Sequence, residues 1–551
     1  MRGRNLTSGS IPSLSWSLAW PVMLSILFQT LYQLVDAFWV SRLSDNAMAA
    51  VTVSQITLFV MISLTIGITV GSGVVMAMSI GRRDIPEAER VMGQSFVLNF
   101  IAAVLFTTIS LSLRGKLLSL TGATGDILPL AVDYFTIVAG GSVLMFIFFA
   151  VIFGFNSQGD NRTVTWLFAI STTINAGLDP LLIFGGLGIP ALGVRGAALA
   201  TIISQILLVI AGITLLHQRD MMVKFRFRNL VFRLHSVRQV LAIGFPAALT
   251  NLLNPAGLAA LNALVALAFL EAGVVGLSIG FRIEFFSFLP AIGFGVAAMA
   301  MIGQNIGGGR PDRARASYHT ALLFAFGIGT AVGLAALLSR GAVVGVFTDD
   351  PVVIGYTRSY LAMIPLTYGI VAALFVVVSS FQGLGKSWRG FAVSATRVAI
   401  LVGGTLLVTR AVAPGGSIAG VWWTIVTANL VAFAFGYLLL RRTFGQVLAA
   451  PAPAWGGPPA AGPGKGGGFG PPGKPPAPRP EGASAEGAVD GGDGLVGRPG
   501  TAAAASGHGP GDQEAGPSRP PSLASDATGA ADGAPSADAM PRMATDESTG
   551  S

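Results

Sequence analysis

Apolar segments long enough to cross a lipid bilayer recur from the start of this chain to residue 440. About 20 consecutive apolar residues suffice for a helix to span the hydrocarbon core of a membrane. Because 52% of the residues are hydrophobic and only 11% are charged, a soluble fold could not bury them all. The sequence therefore predicts an all-α polytopic membrane protein with twelve transmembrane helices. The predicted spans are 14–40, 51–79, 93–113, 131–156, 163–185, 193–216, 239–269, 273–303, 316–338, 354–382, 390–410 and 418–440.

The loops between the spans predict the orientation. Most of their Lys and Arg residues fall on the side of the membrane that carries the N-terminus. The positive-inside rule then places both termini in the cytoplasm, and we expect a multi-pass protein of the plasma (inner) membrane. This loop pattern accounts for the net charge of +8, so we expect no nucleic-acid partner.

The second half of the chain repeats the first. Pro21 and Pro246, and likewise Gln158 and Gln382, follow a nearly constant offset of about 225 residues, as expected for an internal repeat. Six spans in each half make the two copies parallel repeats. Transporters of this kind bind their substrate between the halves and alternate access to it.

Five regions follow from this pattern. The segment that links the two six-helix bundles alternates cations with apolar residues, so we expect it to bind membrane lipid. The predicted regions are a cytoplasmic N-terminus (1–13), an N-lobe six-helix bundle (14–216), a basic amphipathic cytoplasmic linker (217–238), a C-lobe six-helix bundle (239–442) and a disordered cytoplasmic tail rich in Pro, Gly and Ala (443–551).

Enzyme chemistry is not predicted. The chain has no cysteine, which excludes disulfides and thiolate metal sites, and no catalytic constellation shares one side of the membrane. The glycine run at Gly307 lacks the Lys-Ser/Thr of a phosphate loop. We therefore expect no cofactor, and any uphill transport must use an ion gradient.

Two acidic residues of the first half share one depth in the membrane. Asp36 lies toward the outer end of the first span, and Asp179 lies toward the outer end of the fifth. Asn175 precedes Asp179 by one helical turn, and Thr201 returns to a similar depth in the sixth span. These groups can bind a small cation such as sodium or share a proton, and we expect no other metal site. The alternatives are that Asp36 anchors a helix end and that Asp179 ends its helix before Pro180.

The first span carries three further features. Pro21 removes a backbone hydrogen bond and predicts a helix hinge, although a static kink explains it equally well. Gln29 and Tyr32 lie one to two turns before Asp36, so all three can line one wall. Gln29 and Tyr32 are therefore candidate substrate-lining residues, and Tyr32 is equally consistent with packing.

The second half has a different polar site. Glu284, with Arg282 two residues before it, is a candidate C-lobe polar site, for which we favour a structural ion pair. Arg397 is either the complement of Glu284 or a residue that lines a cavity.

These features together resemble the multidrug and toxic compound extrusion (MATE) transporters over residues 14–442. The resemblance is carried by WPVMLSILFQTLYQLVDAFWVSRLSDNAMAA, INAGLDPLLIFG, GVRGAALATIISQ and FLPAIGFGVAAMAMIGQNIGGGRPDRARA. It implies two lobes in a V that export cationic or amphipathic drugs in exchange for protons or sodium.

Individual residues also match the family. The family's N-lobe cation site matches Asp36, Asn175, Asp179 and Thr201, and its bending first helix carries a proline where Pro21 stands. Gln29 and Tyr32 match family residues that contact substrate or form hydrogen bonds. The acids that one sodium-coupled branch carries on helices 7 and 10 are absent here. The chain is therefore more similar to the branch coupled through the N-lobe.

The leading prediction is a monomeric secondary antiporter of small molecules. A flippase for lipid-linked saccharides would have the same fold but would need a cationic cavity. A non-transporting membrane scaffold that acts through the long tail is the third alternative.

Overall fold

The computed structural model describes residues 5–218, 221–411 and 417–449. Regular structure within these ranges is helical, apart from one isolated bridge between Gly186 and Ile189. The last helix continues to Ala449, so the first seven residues of the predicted disordered tail (443–449) are helical, and the rest of the tail lies outside the described residues. The α-helices are α1 (Ile11–Ser41), α2 (Asp45–Gly81), α3 (Ile85–Leu120), α4 (Ile127–Gly140), α5 (Ser142–Asn156), α6 (Asn161–Phe184), α7 (Val194–Gln218), α8 (Leu234–Gly307), α9 (Pro311–Val344), α10 (Pro351–Met363), α11 (Tyr368–Gly383), α12 (Ser387–Ala411) and α13 (Ala419–Ala449).

These helices form twelve spans in the part of the chain that is described. Helices α4 and α5 meet at a 48° bend and together make one span. The 74 residues of α8 make two spans, because the backbone leaves the helical region at Leu270 (φ 54°). A 3₁₀ turn over Ile364–Thr367 joins α10 to α11 in a single span. The predicted all-α architecture with two six-helix repeats is confirmed, and most helices extend several residues past the predicted spans.

Polar side chains at the loop ends fix where several helices begin. Asp84 accepts a hydrogen bond from the amide of Glu87, and Asp160 accepts one from the amide of Thr163, at 3.1 and 3.3 Å. Such N-caps satisfy amides that have no partner within the helix. The Asp residues that follow each apolar stretch therefore define the starts of α3 and α6.

The two lobes share a core only at the end where α1 begins. Leu18 and Ala19 of α1 pack into a cluster that is otherwise built from C-lobe helices. Val240 and Ala247 of α8 pack in turn into an N-lobe cluster. Toward the opposite end the buried clusters belong to one lobe each. The lobes are therefore joined at one end and separate toward the other.

Close backbone contact seals the joined end. A Cβ on Gly71 of α2 would meet the Val240 carbonyl of α8, and one on Gly307 would meet the Met78 carbonyl. The buried amide of Gln304 bridges the two lobes, because it accepts from the Leu6 amide and donates to the Ser157 carbonyl, both at 2.9 Å. Glycine at these positions lets the helices approach closely.

The linker packs on protein as well as facing outward. Val223 and Phe225 are buried against the N-lobe, and the Val223 amide donates to Gln158 at 2.8 Å. Its later residues, including Phe227 and Phe232, are exposed. The apolar residues of the linker therefore fall into two groups. The earlier ones pack against the N-lobe, and only the later ones are exposed and free to contact lipid.

A row of polar contacts holds α1 against α6. The side chains of Asn161, Thr165 and Thr172 donate to the carbonyls of Leu18, Pro21 and Phe28 at 2.7, 2.7 and 3.1 Å. Each pair is separated by 143 or 144 positions, so the two helices run parallel and in step.

Removing two of these bonds should destabilise the N-lobe. We expect the double variant Thr165→Val, Thr172→Val to lower the free energy of unfolding by about 1 to 2 kcal/mol, because each interhelical bond contributes about 0.6 kcal/mol or more. Thermal unfolding in detergent measures the change. The control is Thr173→Val, since Thr173 is exposed and bonds only within its own helix at the Ala169 carbonyl. If the double variant and the Thr173→Val variant unfold at the same temperature, the row of interhelical bonds does not stabilise the N-lobe.

Candidate functional site

The register between α1 and α6 brings the two predicted carboxylates together. Asp36 and Asp179 are separated by the same number of positions as Leu18 and Asn161, which are in contact. The two acids therefore lie at one level of adjacent parallel helices, as their predicted depths require. They are close enough to repel each other electrostatically.

The surroundings of this pair are buried and incompletely hydrogen-bonded. Asn175 Nδ2 donates to Asp179 Oδ1 at 3.1 Å. Asp36 is 4% exposed and Asp179 is fully buried. One oxygen of each carboxylate, and Oδ1 of Asn175, lacks a hydrogen-bond partner among the described residues. Buried polar oxygens are rarely left unpaired, so this site is suited to receive a proton or a cation.

Hydroxyl groups complete the cluster. Tyr32 lies beside Thr201 of α7, although its hydroxyl forms no hydrogen bond of ordinary geometry with the described residues. Tyr134 of α4 also faces both acids and lies within reach of Gln55 of α2. The sequence prediction missed Tyr134 and Gln55. The only feature of the sequence that pointed to these two residues as site candidates was their position as polar residues inside apolar spans.

The structure argues against the two alternative explanations for the acids. Helix α6 continues through Pro180 to Phe184, so Asp179 does not end it. Asp36 is buried within α1 and does not cap its end. Pro21 also lies inside an uninterrupted α1, where its carbonyl accepts from Thr165 and Ser25. Its role as a hinge stays a prediction.

A cavity of about 310 Å³ lies between the lobes. Helices α1, α2, α5 and α6 line it on one side, and α8, α11 and α12 line it on the other. Gln29 lies in its wall, as predicted for a substrate-lining residue, whereas Tyr32 belongs to the acidic cluster. The volume lies at the lower end of the range for small-molecule sites.

The C-lobe site differs from the predicted pair. Arg282 is exposed, while Glu284 is buried and accepts a hydrogen bond from the Tyr360 hydroxyl. Residues two positions apart on a helix point in different directions, so Arg282 does not join the site. Arg397 is the cation that attracts Glu284, and its Nε donates to Asn429 Oδ1 at 2.8 Å.

Among the described residues, the N-lobe cluster is suited to a cation or a proton. Its carboxylate, amide and hydroxyl oxygens are ligands that sodium accepts, and either carboxylate can take up a proton. The described residues contain no group of three His, Cys, Asp or Glu side chains placed to hold a metal.

Known proteins share this architecture. The chain is 26% identical over 399 residues to a FAD transporter of Shewanella oneidensis, covering 72% of this chain and 88% of that protein. It is 27% identical over 378 residues to a probable multidrug resistance protein NorM of Thermotoga maritima, covering 67% and 79%. A solved structure of a multidrug resistance MATE family transporter of the MOP superfamily, in an outward-facing conformation, superposes with a TM-score of 0.76. It has 26% identity and covers 81% of this chain and 99% of that one.

A family match spans both repeats. The family described as MatE matches residues 21–181 and 246–403, which together are more than half of the chain. Its members are transporters, which confirms the prediction of a multi-pass membrane transporter and not an enzyme. The protein therefore belongs to the MatE, or MATE, family of membrane transporters.

Proposed function

We propose that this protein is a secondary active antiporter that exports amphipathic small molecules from the cytoplasm in exchange for protons or sodium. The observation that carries the proposal is the buried pair of Asp36 and Asp179, each with an unpaired oxygen, on helices that also line the cavity. In this assignment both termini lie in the cytoplasm of a cell whose plasma (inner) membrane holds the protein.

Charge changes at the pair supply the coupling. Two carboxylates at one level of a low-dielectric interior repel each other, so loss of one negative charge or entry of a cation relieves the repulsion. Helix α1 carries Asp36 near one end, Gln29 at the cavity and Leu18 in the C-lobe core. A change in how α1 packs on α6 therefore also moves the residues of α1 that line the cavity and those that contact the C-lobe.

The shape of the protein fits alternating access. The lobes are sealed at the end that carries the N-terminus and separate toward the other end, so the cavity communicates with the outside when the termini are cytoplasmic. Export then requires the seal at Gly71 and Gln304 to open. The names of the relatives, a FAD transporter and multidrug resistance proteins, support an organic cargo.

Transport in proteoliposomes tests the proposal. The purified full chain is reconstituted with a fluorescent amphipathic dye, and a proton gradient or a sodium gradient is imposed separately. We expect uphill dye movement with one of the two gradients, and movement of that ion in the opposite direction. Dye movement that is insensitive to both gradients would contradict antiport, and protein-free vesicles provide the baseline.

A further inference from the structure

The charge of the central cavity is cationic. Arg397 of α12 lines the cavity, and no Asp or Glu side chain lines it among the described residues. The remaining polar groups in the wall are neutral amides and hydroxyls, such as Asn251, Asn254 and Gln382. The acids of the N-lobe cluster lie outside this wall.

Hydrogen bonds to other C-lobe side chains hold Arg397 in place. Its Nε donates to Asn429 Oδ1 at 2.8 Å, and Asn429 Nδ2 in turn donates to the Thr367 hydroxyl at 3.1 Å. Glu284 attracts the guanidinium but forms no direct ion pair with it. The two terminal guanidinium nitrogens make no hydrogen bond with any described residue. They are therefore free to bind a ligand.

The rest of the wall is suited to an aromatic or aliphatic body. Phe149, Phe153, Phe168 and Phe375 line the cavity together with branched aliphatic side chains. A guanidinium in such low-dielectric surroundings attracts anions and repels cations. Its planar fork matches the oxygens of a carboxylate or a phosphate.

We propose that the cargo is an amphipathic anion, whose carboxylate or phosphate binds Arg397 and whose apolar body packs against the phenylalanines of the cavity. This inference rests on the proposed export function and replaces the cationic preference expected from the family resemblance. Glu284 acts as the counter-charge to Arg397 while the cavity holds no anion, since it attracts the guanidinium and is not among the residues that line the cavity.

Two dyes that share a xanthene core but differ in charge test the assignment. Binding of carboxyfluorescein, an anion, and rhodamine 123, a cation, is measured by fluorescence anisotropy with the full chain in detergent. We expect carboxyfluorescein to bind roughly tenfold tighter or more, since one charge-assisted contact of this kind corresponds to about a ten- to hundredfold difference. Arg397→Gln should lose that preference.

Further variants separate this role from a structural one. Arg397→Lys keeps the charge and should retain the preference with weaker anion binding. Glu284→Gln removes the counter-charge while keeping an acceptor for Tyr360, and should strengthen anion binding. Arg410→Gln is the matched control, because Arg410 is exposed at the end of the same helix and outside the cavity wall. It should bind both dyes as the native protein does.

The outcomes distinguish this inference from the proposed function. Equal or tighter binding of rhodamine 123, unchanged by Arg397→Gln, would overturn the anion assignment, as would failure of both dyes to bind. If rhodamine 123 is exported uphill under an imposed gradient, antiport stands while the anion assignment fails. If carboxyfluorescein binds through Arg397 but moves independently of both gradients, the assignment stands and antiport fails.

Discussion

Asp36→Asn should abolish gradient-driven export, leaving dye movement at the level of protein-free vesicles. Asparagine has nearly the same shape as aspartate but does not take up a proton or offer a cation a negative charge. The coupling pair then has only Asp179, and no repulsion remains to be relieved. The measurement is uphill dye transport in proteoliposomes, with reconstituted protein matched by size-exclusion chromatography.

Asp133→Asn provides the matched control for this substitution. Asp133 is an aspartate of the same lobe, but it forms an exposed ion pair with Arg195 at 2.9 Å. We expect native transport from this variant. Dye binding by Asp36→Asn should persist, because Asp36 does not line the cavity. Native uphill transport by the Asp36→Asn protein would exclude this carboxylate from coupling.

Gly71→Ala should open the seal between the lobes. The added Cβ would meet the backbone carbonyl of Val240, so the close approach of α2 and α8 cannot persist unchanged. Overpacking of this kind costs about 1 to 3 kcal/mol, which shifts the closed population by roughly five- to hundredfold. Transport should fall, because the cycle requires this end to close.

Site-directed labelling measures the opening directly. The chain has no cysteine, so one cysteine introduced at Asn251 in the cavity wall reports accessibility without background. An impermeant thiol reagent applied from the face of the N-terminus should label it faster in the Gly71→Ala protein. Gly327→Ala is the control, since a Cβ there meets open space. Equal labelling of both variants would contradict a seal at Gly71.

Hydropathy and helix direction made the N-lobe cluster predictable. A span entering from a known side fixes the depth of each of its residues, so the sequence alone predicts that Asp36 and Asp179 lie at one level. Burial of a carboxylate in an apolar span is also costly enough to mark it as significant. Tyr134 and Gln55 carry no charge, so the same criterion could not identify them.

Side-chain partners between distant helices were only partly predictable. Arg282 was expected to pair with Glu284 because the two are near in sequence, whereas Glu284 accepts a hydrogen bond from Tyr360 and attracts Arg397, which was one of the two roles predicted for Arg397. The packing of the helices decides which side chains meet. The residue pattern within one segment carries no information on that packing. The alternating apolar residues of the linker had the same ambiguity, because alternation does not distinguish a lipid surface from the surface of a neighbouring helix.

The path of α1 makes the two halves of the chain mutually dependent. Its first turns complete the core of the C-lobe through Leu18 and Ala19, while its last turns carry Asp36 into the N-lobe. A C-terminal half produced alone would therefore have an unfilled groove beside Phe294. The two repeats therefore do not have independent cores, because the first turns of α1, a helix of the first repeat, belong to the core of the second.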